Sequence, residues 1–575
     1  MVLIDDFTDG WYPGFQAEFG QAAWVVEPFR LFHRRDEQRF WFLDFHWSRG
    51  LTPMGLVWIE DGYAWGSQLA AERLPLPEGR GLAQRFAGTH VYAAAIEVTD
   101  ESEIAERTRR VQARLPRFID DFDNIWTTRR SEIERWWKYF SRIDLSALSL
   151  SELRTYLVRA RRFLKRTGEI HFQLMYPLLL NYLNFYHSCI DMGIDPSRIG
   201  KYLQGYDTKI METDRALWHL AEQARQAGLA HVFAAHDADN LRNALSKHGG
   251  RASAWCTEFD DVMQLYGHRA EGAFDIALAS WLEDPTPALA MIKSFLKKGS
   301  GPDLVAARRQ AETEREAALD ATRSALTLQE QRVFDTGLAS CQAANFPWWQ
   351  DEHNYYIDLR AVLPMRWACL QIADRLSADL FDDTLFLFWP ELMAVLDGVK
   401  QYDSFRGLVQ LRRQYYEYWS GRRGEMPKFL GKLPQAIADP ILLEVFGINE
   451  DFLHAMCASQ TDIIKATKTM QGIPASQGVA RGTARVLFTA DELDRVRPGE
   501  VLVCESISPN WTPVFGKIAA CVCDSGGMLS HAAIVGREYR IPTVTAAGVA
   551  TVVVRDGDEI EVDGTTGVVR VYGCS

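Results

Sequence analysis

Apolar and polar positions change their period along this chain of 575 residues. Between Ser102 and Thr469 apolar residues recur at three- and four-residue spacing, and the runs Glu103–Phe140, Leu150–Phe163, Thr213–Ala227 and the highly charged Asp303–Thr336 predict amphipathic helices. The first hundred residues differ. There the aromatic, alternating stretches Arg39–His46 and Gly55–Glu60, bounded by Gly, Pro and Asp, predict strands. Towards the C-terminus, β-rich runs at Ala484–Phe488, Val501–Cys504, Ala520–Cys523 and Thr551–Val554 alternate with Gly, Pro and Asp punctuation and short helical stretches, which predicts a compact α/β unit.

The expected fold is therefore multidomain, with a mainly α-helical domain followed by a small α/β domain. Residues 1–100 read as a β-containing lead-in or cap, 101–457 as the helical domain, 458–471 as a polar, small-residue hinge linker and 472–575 as the α/β domain. The Pro/Gly clusters of Gly421–Pro440 read as loops inside the helical part.

A net charge of −13 argues against nucleic acid or an anionic membrane as partner, because both are bound through basic patches. The acidic start Met-Val-Leu-Ile-Asp-Asp lacks a charged-then-apolar targeting pattern, and the apolar stretch Leu174–Ile190 is broken by Pro177, Asn181, Asn184 and His187, as in a buried helix. The expectation is a cytoplasmic protein without a membrane span. Nine cysteines without paired spacing indicate neither a disulfide framework nor a zinc site, and Cys521 and Cys523 read as small residues on one strand face. No metal ligands are assigned.

The strongest chemical signal is the run Ser525–Pro542, which sets His531 where a glycine turn becomes a helix. Gly526 and Gly527 allow close approach of backbone to an anion, Ser530 is a good helix-starting residue, and the helix N-terminus favours negative charge. A neutral imidazole there is a competent nucleophile, although a lone His in an apolar helix is more often a hydrogen-bonded core residue.

This segment resembles the phosphohistidine swivelling domain of the phosphoenolpyruvate-utilising enzymes. The resemblance runs from about Gly472 to Gly573 and includes Gly-Ile-Pro-Ala-Ser-Gln-Gly-Val-Ala-Arg-Gly (Gly472–Gly482), Ser-Pro-Asn-Trp-Thr-Pro (Ser508–Pro513) and the closing Asp556–Val569. It implies that His531 carries a phosphoryl group, that Gly526, Gly527 and Ser530 form a phosphate cradle, and that Arg537 contacts a phosphate oxygen. A surface ion pair of Arg537 with Glu538 is the plainer alternative. Cys523, Asp524 and Gly536 depart from the residues many relatives have at these positions.

Pieces of the helical region resemble rifampin phosphotransferases and the large subunit of phenylphosphate synthases: Trp47–Gly55, Tyr266-Gly-His-Arg-Ala-Glu-Gly-Ala-Phe-Asp275 followed by Trp281–Pro287, Glu352–Arg360 and, more weakly, Phe386–Leu392. As an acceptor site, His268 and His353 are candidate bases and Arg269 and Arg360 candidate clamps for a transferring phosphoryl group. Glu271, Asp275 and Asp358 are placed to orient them or to bind a hydroxyl. The competing reading is a salt-bridged helix-to-loop junction and an internal network that positions helices. The 18 Trp, 19 Tyr and 30 Phe suggest a flat acceptor, although aromatic stripes more often build core.

No Gly-rich phosphate loop or stretch resembling an ATP-grasp domain is evident. The resemblance thus implies a phosphotransferase subunit of the dikinase type: ATP and Mg2+ bind at a separate ATP-grasp partner and none at this chain, His531 takes the β-phosphoryl group, and a phenol or other aromatic alcohol receives it. An antibiotic-like acceptor, pyruvate, or a phosphohistidine regulatory module are the alternatives.

Overall fold

In the computed structural model, residues 11–16, 25–27, 31–270, 272, 274–297, 304–434, 437, 439–508, 511–528 and 530–574 are described. The chain divides into two compact units: Met1–Leu183 with Gly272–Ala277 and Tyr356–Leu443, and Asn184–Glu271 with Leu278–Tyr355 and Glu444–Ser575. Each unit is assembled from segments far apart in sequence, so its boundaries are not those that composition suggests.

The first unit holds an antiparallel sheet in the order β2-β3-β1-β4, with β1 Phe40–Leu43, β2 Gly79–Ala87, β3 His90–Glu97 and β4 Phe429–Gly431. Phe40 pairs with Gly431 and Phe42 with Phe429, which carries the lead-in region into one sheet with a strand from the Gly421–Pro440 stretch expected as loop. All four residues of β1 are buried, and Arg85, wholly inaccessible, is neutralised by Asp36 at 3.0 Å and by Glu27 at 2.6 Å. Charge this deep requires such pairing.

Helices dominate the rest. The run Glu103–Phe140 is two helices, Glu101–Asp120 and Phe122–Phe140, broken at Asp121. Leu150–Phe163 and the apolar stretch after it are one helix, Leu150–Asp191, with Pro177 inside it. The charged run resolves into Leu304–Ala325 and Leu328–Ala343, the latter opened by a reciprocal cap between Thr327 and Glu330. No described helix is long and apolar enough to cross a membrane.

In the second unit, an eight-stranded sheet runs β5-β12-β11-β7-β8-β9-β10-β6, where β5 is Thr469–Gln471, β6 Ile473–Ser476, β7 Val479–Leu487, β8 Val501–Cys504, β9 Ala520–Cys523, β10 Thr543–Thr545, β11 Asp558–Asp563 and β12 Val568–Cys574. β7 to β10 are mutually parallel and the outer strands antiparallel. Alternation sends Val501, Val503, Ala520 and Val522 into one core, and Leu502, Cys504, Cys521 and Cys523 into another with Ala532 and Val535 of the helix His531–Tyr539. Parallel strands covered on both faces read as continuous apolar runs, which is why they were legible. The helical segments of this unit have their own core, including Leu217, Leu220, Trp255, Phe259 and Ile292.

Three expectations are corrected. Gly55–Glu60 is helical, passing from Leu56–Trp58 into a π-helix at Ile59–Ala64; Pro53 starts the helical path, and burial on every side removes the solvent face that alternation requires. Thr551–Val554 is not a strand: Ala550–Val553 is a helical turn held by Asp524, whose Oδ1 accepts the Thr551 N–H at 3.1 Å. The expected linker 458–471 is the helix Ala458–Thr467 followed by β5, which pairs with β12. Lys468, at φ 52°, makes the turn between them.

Candidate phosphohistidine site

The helix His531–Tyr539 starts at Ser530, whose Oγ accepts the Ala533 N–H at 3.4 Å. The turn before it is fixed by close backbone packing. Gly526 has φ +110° and donates its N–H to Phe446 O at 2.8 Å, and a Cβ on Gly527 would lie 2.3 Å from Glu444 O. Gly527 is thus required by the neighbouring Glu444 backbone and Gly526 by its positive φ, reasons the sequence alone did not supply.

His531 is 8% exposed. Thr512 Oγ1 lies 3.4 Å from its Nε2, and its Nδ1 has no hydrogen-bond partner among the described residues. Burial pushes the imidazole down to about 3, and the positive charge of Arg269 pushes it the same way. The ring is neutral at any physiological pH, with a lone pair available.

Arg269 is itself buried, with Nη1 3.0 Å from Asp214 Oδ1 and its guanidinium 5.1 Å from the centre of the Trp281 ring. Asp214 sits on the apolar side of the helix Lys209–Gln226, one turn from Met211 and from Leu217. A lone acid within that apolar stripe was the available sequence signal for it. Burial holds its carboxyl above the usual range against the pull of Arg269.

Of the other candidates, His268 lies edge-on to Tyr355 at 4.6 Å, and His353 stacks on Trp349 at 4.2 Å with its Nδ1 3.1 Å from Trp349 O. Both share the unit of His531. Asp275, Asp358 and Arg360 belong to the other unit. There Asp275 accepts the Ala277 N–H at 2.9 Å, Asp358 Oδ1 lies 3.4 Å from His171 Nδ1, and the Arg360 guanidinium packs on Trp137 and Tyr356. Glu271 lies outside the described residues. Arg537 donates to Met528 O at 2.9 Å and to Ala475 O at 3.2 Å, fastening the turn before His531 to β6. The Glu538 side chain lies outside what is described.

Cys504, Cys521 and Cys523 bring their thiols together below the turn, with Sγ–Sγ distances of 3.6 Å for Cys504 and Cys523 and 3.8 Å for Cys521 and Cys523. Cys504, on β8, is the member that spacing could not supply, since it comes from a neighbouring strand.

A neutral, buried histidine at a helix N-terminus above a parallel sheet, within the electrostatic reach of a buried cation, has the chemistry that phosphoryl transfer through a ring nitrogen needs. Residues 496–567 match the family described as "PEP-utilising enzyme, mobile domain", and residues 185–347 match "Rifampicin phosphotransferase fourth domain". Over these two segments the chain is similar to PEP-utilising enzymes and rifampicin phosphotransferases. It is 30% identical to chondramide synthase cmdD of Chondromyces crocatus over 94% of this chain and 14% of that protein. It is 28% identical to the uncharacterized phosphotransferase YvkC of Bacillus subtilis over 72% of this chain and 49% of that one. With the rifampicin phosphotransferase of the same organism it shares 26% identity over 58% of this chain and 36% of the relative. The chain therefore spans less than half the length of each of these relatives.

Proposed function

We propose that this protein is a phosphotransferase in which His531 is phosphorylated and then passes the group to a hydroxyl of a phenol or other aromatic alcohol. The observation that carries the reading is His531 itself: buried, held neutral, placed at a helix N-terminus and within the field of Arg269. In the first step a ring nitrogen bonds to the β-phosphorus of ATP as the bridging P–O bond on one side breaks; hydrolysis on the other side yields AMP and phosphate. In the second step the acceptor oxygen attacks phosphorus, the N–P bond breaks, the ring regains a neutral lone pair, and the hydroxyl proton passes to a base. His268 and His353, in the same unit, are the bases proposed for that proton, and Arg269 is the proposed cation for the transferring oxygens.

ATP and Mg2+ belong, in this reading, to an ATP-grasp partner outside these residues. A nucleophile that serves a donor and an acceptor must approach each to about 3–3.5 Å, which a fixed imidazole does not do, so the sheet domain carrying His531 is proposed to swing.

The test uses phosphoramidate, a small donor that needs no partner. Treated protein should gain one acid-labile, base-stable phosphoryl group located at His531 by mass spectrometry, and should lose it on addition of members of a phenol panel with formation of the aryl phosphate. Labelling of His531→Ala at the wild-type level, or the absence of aryl phosphate with every phenol, overturns the assignment.

A further inference from the structure

Thr512 stands in the Ser508–Pro513 segment and comes to the nucleophile from a neighbouring strand. Because β8 and β9 are parallel neighbours, the segments that follow them leave the sheet at the same end. Thr512 follows β8 and His531 follows β9. Their side chains meet across 19 positions of sequence, with Thr512 Oγ1 3.4 Å from His531 Nε2.

The contact is anchored in a core. Trp511, Val514 and Phe515, beside and within the helical turn Thr512–Phe515, share one buried cluster with Ala532 and Val535 of the helix that His531 opens. Thr512 itself is 1% exposed. Hydroxyl and imidazole are thus fixed relative to one another through close-packed side chains, as a group that must meet a reacting atom requires.

Of the two ring nitrogens, Nδ1 is closed off from solvent, so attack on phosphorus falls to Nε2, the nitrogen beside Thr512. A hydroxyl carries one proton and turns about its C–O bond, and can therefore donate either to a ring nitrogen or to an oxygen held just beyond it. At 3.4 Å the bond to a neutral ring is long and weak, whereas a hydroxyl donating to an anionic phosphoryl oxygen makes a charge-assisted bond. The exchange favours the phosphorylated state. Arg537 already donates to the Met528 and Ala475 carbonyls, and Arg269 is paired with Asp214, which leaves a distinct role for a donor at the reacting atom.

We infer, on the phosphotransferase reading of His531, that Thr512 is a contact for the transferring phosphoryl group: its hydroxyl donates to Nε2 at rest and to a phosphoryl oxygen as the N–P bond forms. In that step the Nε2 lone pair bonds to phosphorus and the bond from phosphorus to the leaving group breaks with its electron pair. The Nδ1 proton stays on the ring, beside the phosphoryl charge that offsets it. The Thr512 hydroxyl keeps its own proton and changes only its acceptor.

The test treats the full chain with phosphoramidate as wild type, as Thr512→Ser, which keeps the hydroxyl, and as Thr512→Val, which puts a methyl group in its place. His531 should be phosphorylated about tenfold more slowly in Thr512→Val, and within about threefold of the wild-type rate in Thr512→Ser. Diethyl pyrocarbonate consumes the same ring nitrogen without adding a phosphoryl group. Its reaction at His531 should stay within about twofold of the wild-type rate in both variants, whereas a threonine that only held the ring in place would slow both reactions alike. Peptide mass spectrometry reads both rates at His531, and Thr512→Ala gives the same comparison if Thr512→Val does not fold. A wild-type phosphorylation rate in Thr512→Val, a rate in Thr512→Ser as low as in Thr512→Val, or parallel slowing with diethyl pyrocarbonate overturns the role of Thr512 while leaving His531 as the carrier. Failure of the wild-type chain to take up a phosphoryl group at His531 overturns the transfer reading and the role of Thr512 with it.

Discussion

Arg269 Nη1 lies 3.0 Å from Asp214 Oδ1 with both side chains almost wholly out of water, joining the helix Lys209–Gln226 to the segment that faces His531 electrostatically. Removing Arg269 leaves the buried Asp214 carboxylate without its ion-pair partner. Arg269→Met should therefore destabilise the protein by about 3–5 kcal/mol, while the double change Arg269→Met with Asp214→Leu should recover much of that loss. Denaturant midpoints of the two variants check it; equal losses in both would mean that the pair is not coupled.

The depressed pKa of His531 has a kinetic consequence. An ordinary histidine loses nucleophilicity below about 6.5, whereas burial keeps this one neutral down to about 3. Phosphorylation of His531 by phosphoramidate, corrected for the donor's own ionisation, should accordingly show no inflection between pH 5 and pH 8, read by quantitative mass spectrometry.

Stability follows the same shift. The unfolded imidazole takes up a proton as pH falls below 6.5 and the folded one does not until about 3, so stability present above 6.5 is lost progressively across that window. In His531→Asn the fall in denaturation midpoint between pH 6.5 and the lowest pH at which the protein stays folded should be shallower than in wild type.

Two glycines should respond oppositely to alanine. A Cβ at Gly527 would lie 2.3 Å from Glu444 O, so Gly527→Ala should cost about 1–3 kcal/mol. Gly407 lies in the helix Arg406–Ser420 with nothing within 4 Å of its would-be Cβ, and Gly407→Ala should gain about 0.5–1 kcal/mol. Thermal denaturation of both variants gives the signs directly.

Cys504, Cys521 and Cys523 are each wholly buried. Their thiols should resist a soluble disulfide reagent in native buffer and react only after denaturation, as peptide mapping of the modified cysteines will reveal; native labelling of any of the three would contradict the packing below the His531 turn.

The sequence by itself determined the local chemistry around His531: the glycine pair, the Ser530 cap and the nucleophile are contiguous, and β8 and β9 were legible because strands buried on both faces are uninterrupted apolar runs. It also determined the helical period of most of the chain. Where burial was complete on every side, as at Gly55–Glu60, the pattern lost its contrast and the strand expectation failed. Tertiary structure alone decided which distant residues meet. Asp214 pairs with Arg269 across 55 positions, Phe40 finds Gly431 across almost the whole first unit, and Glu444 rather than a ligand accounts for Gly527. The acceptor candidates come from segments of both units, His268, Arg269 and His353 from one and Asp275, Asp358 and Arg360 from the other, a membership that no local spacing shows. Spacing along a chain encodes which residues share a helix face or strand face, whereas contacts between elements depend on how whole apolar surfaces are buried together, and no local period carries that information.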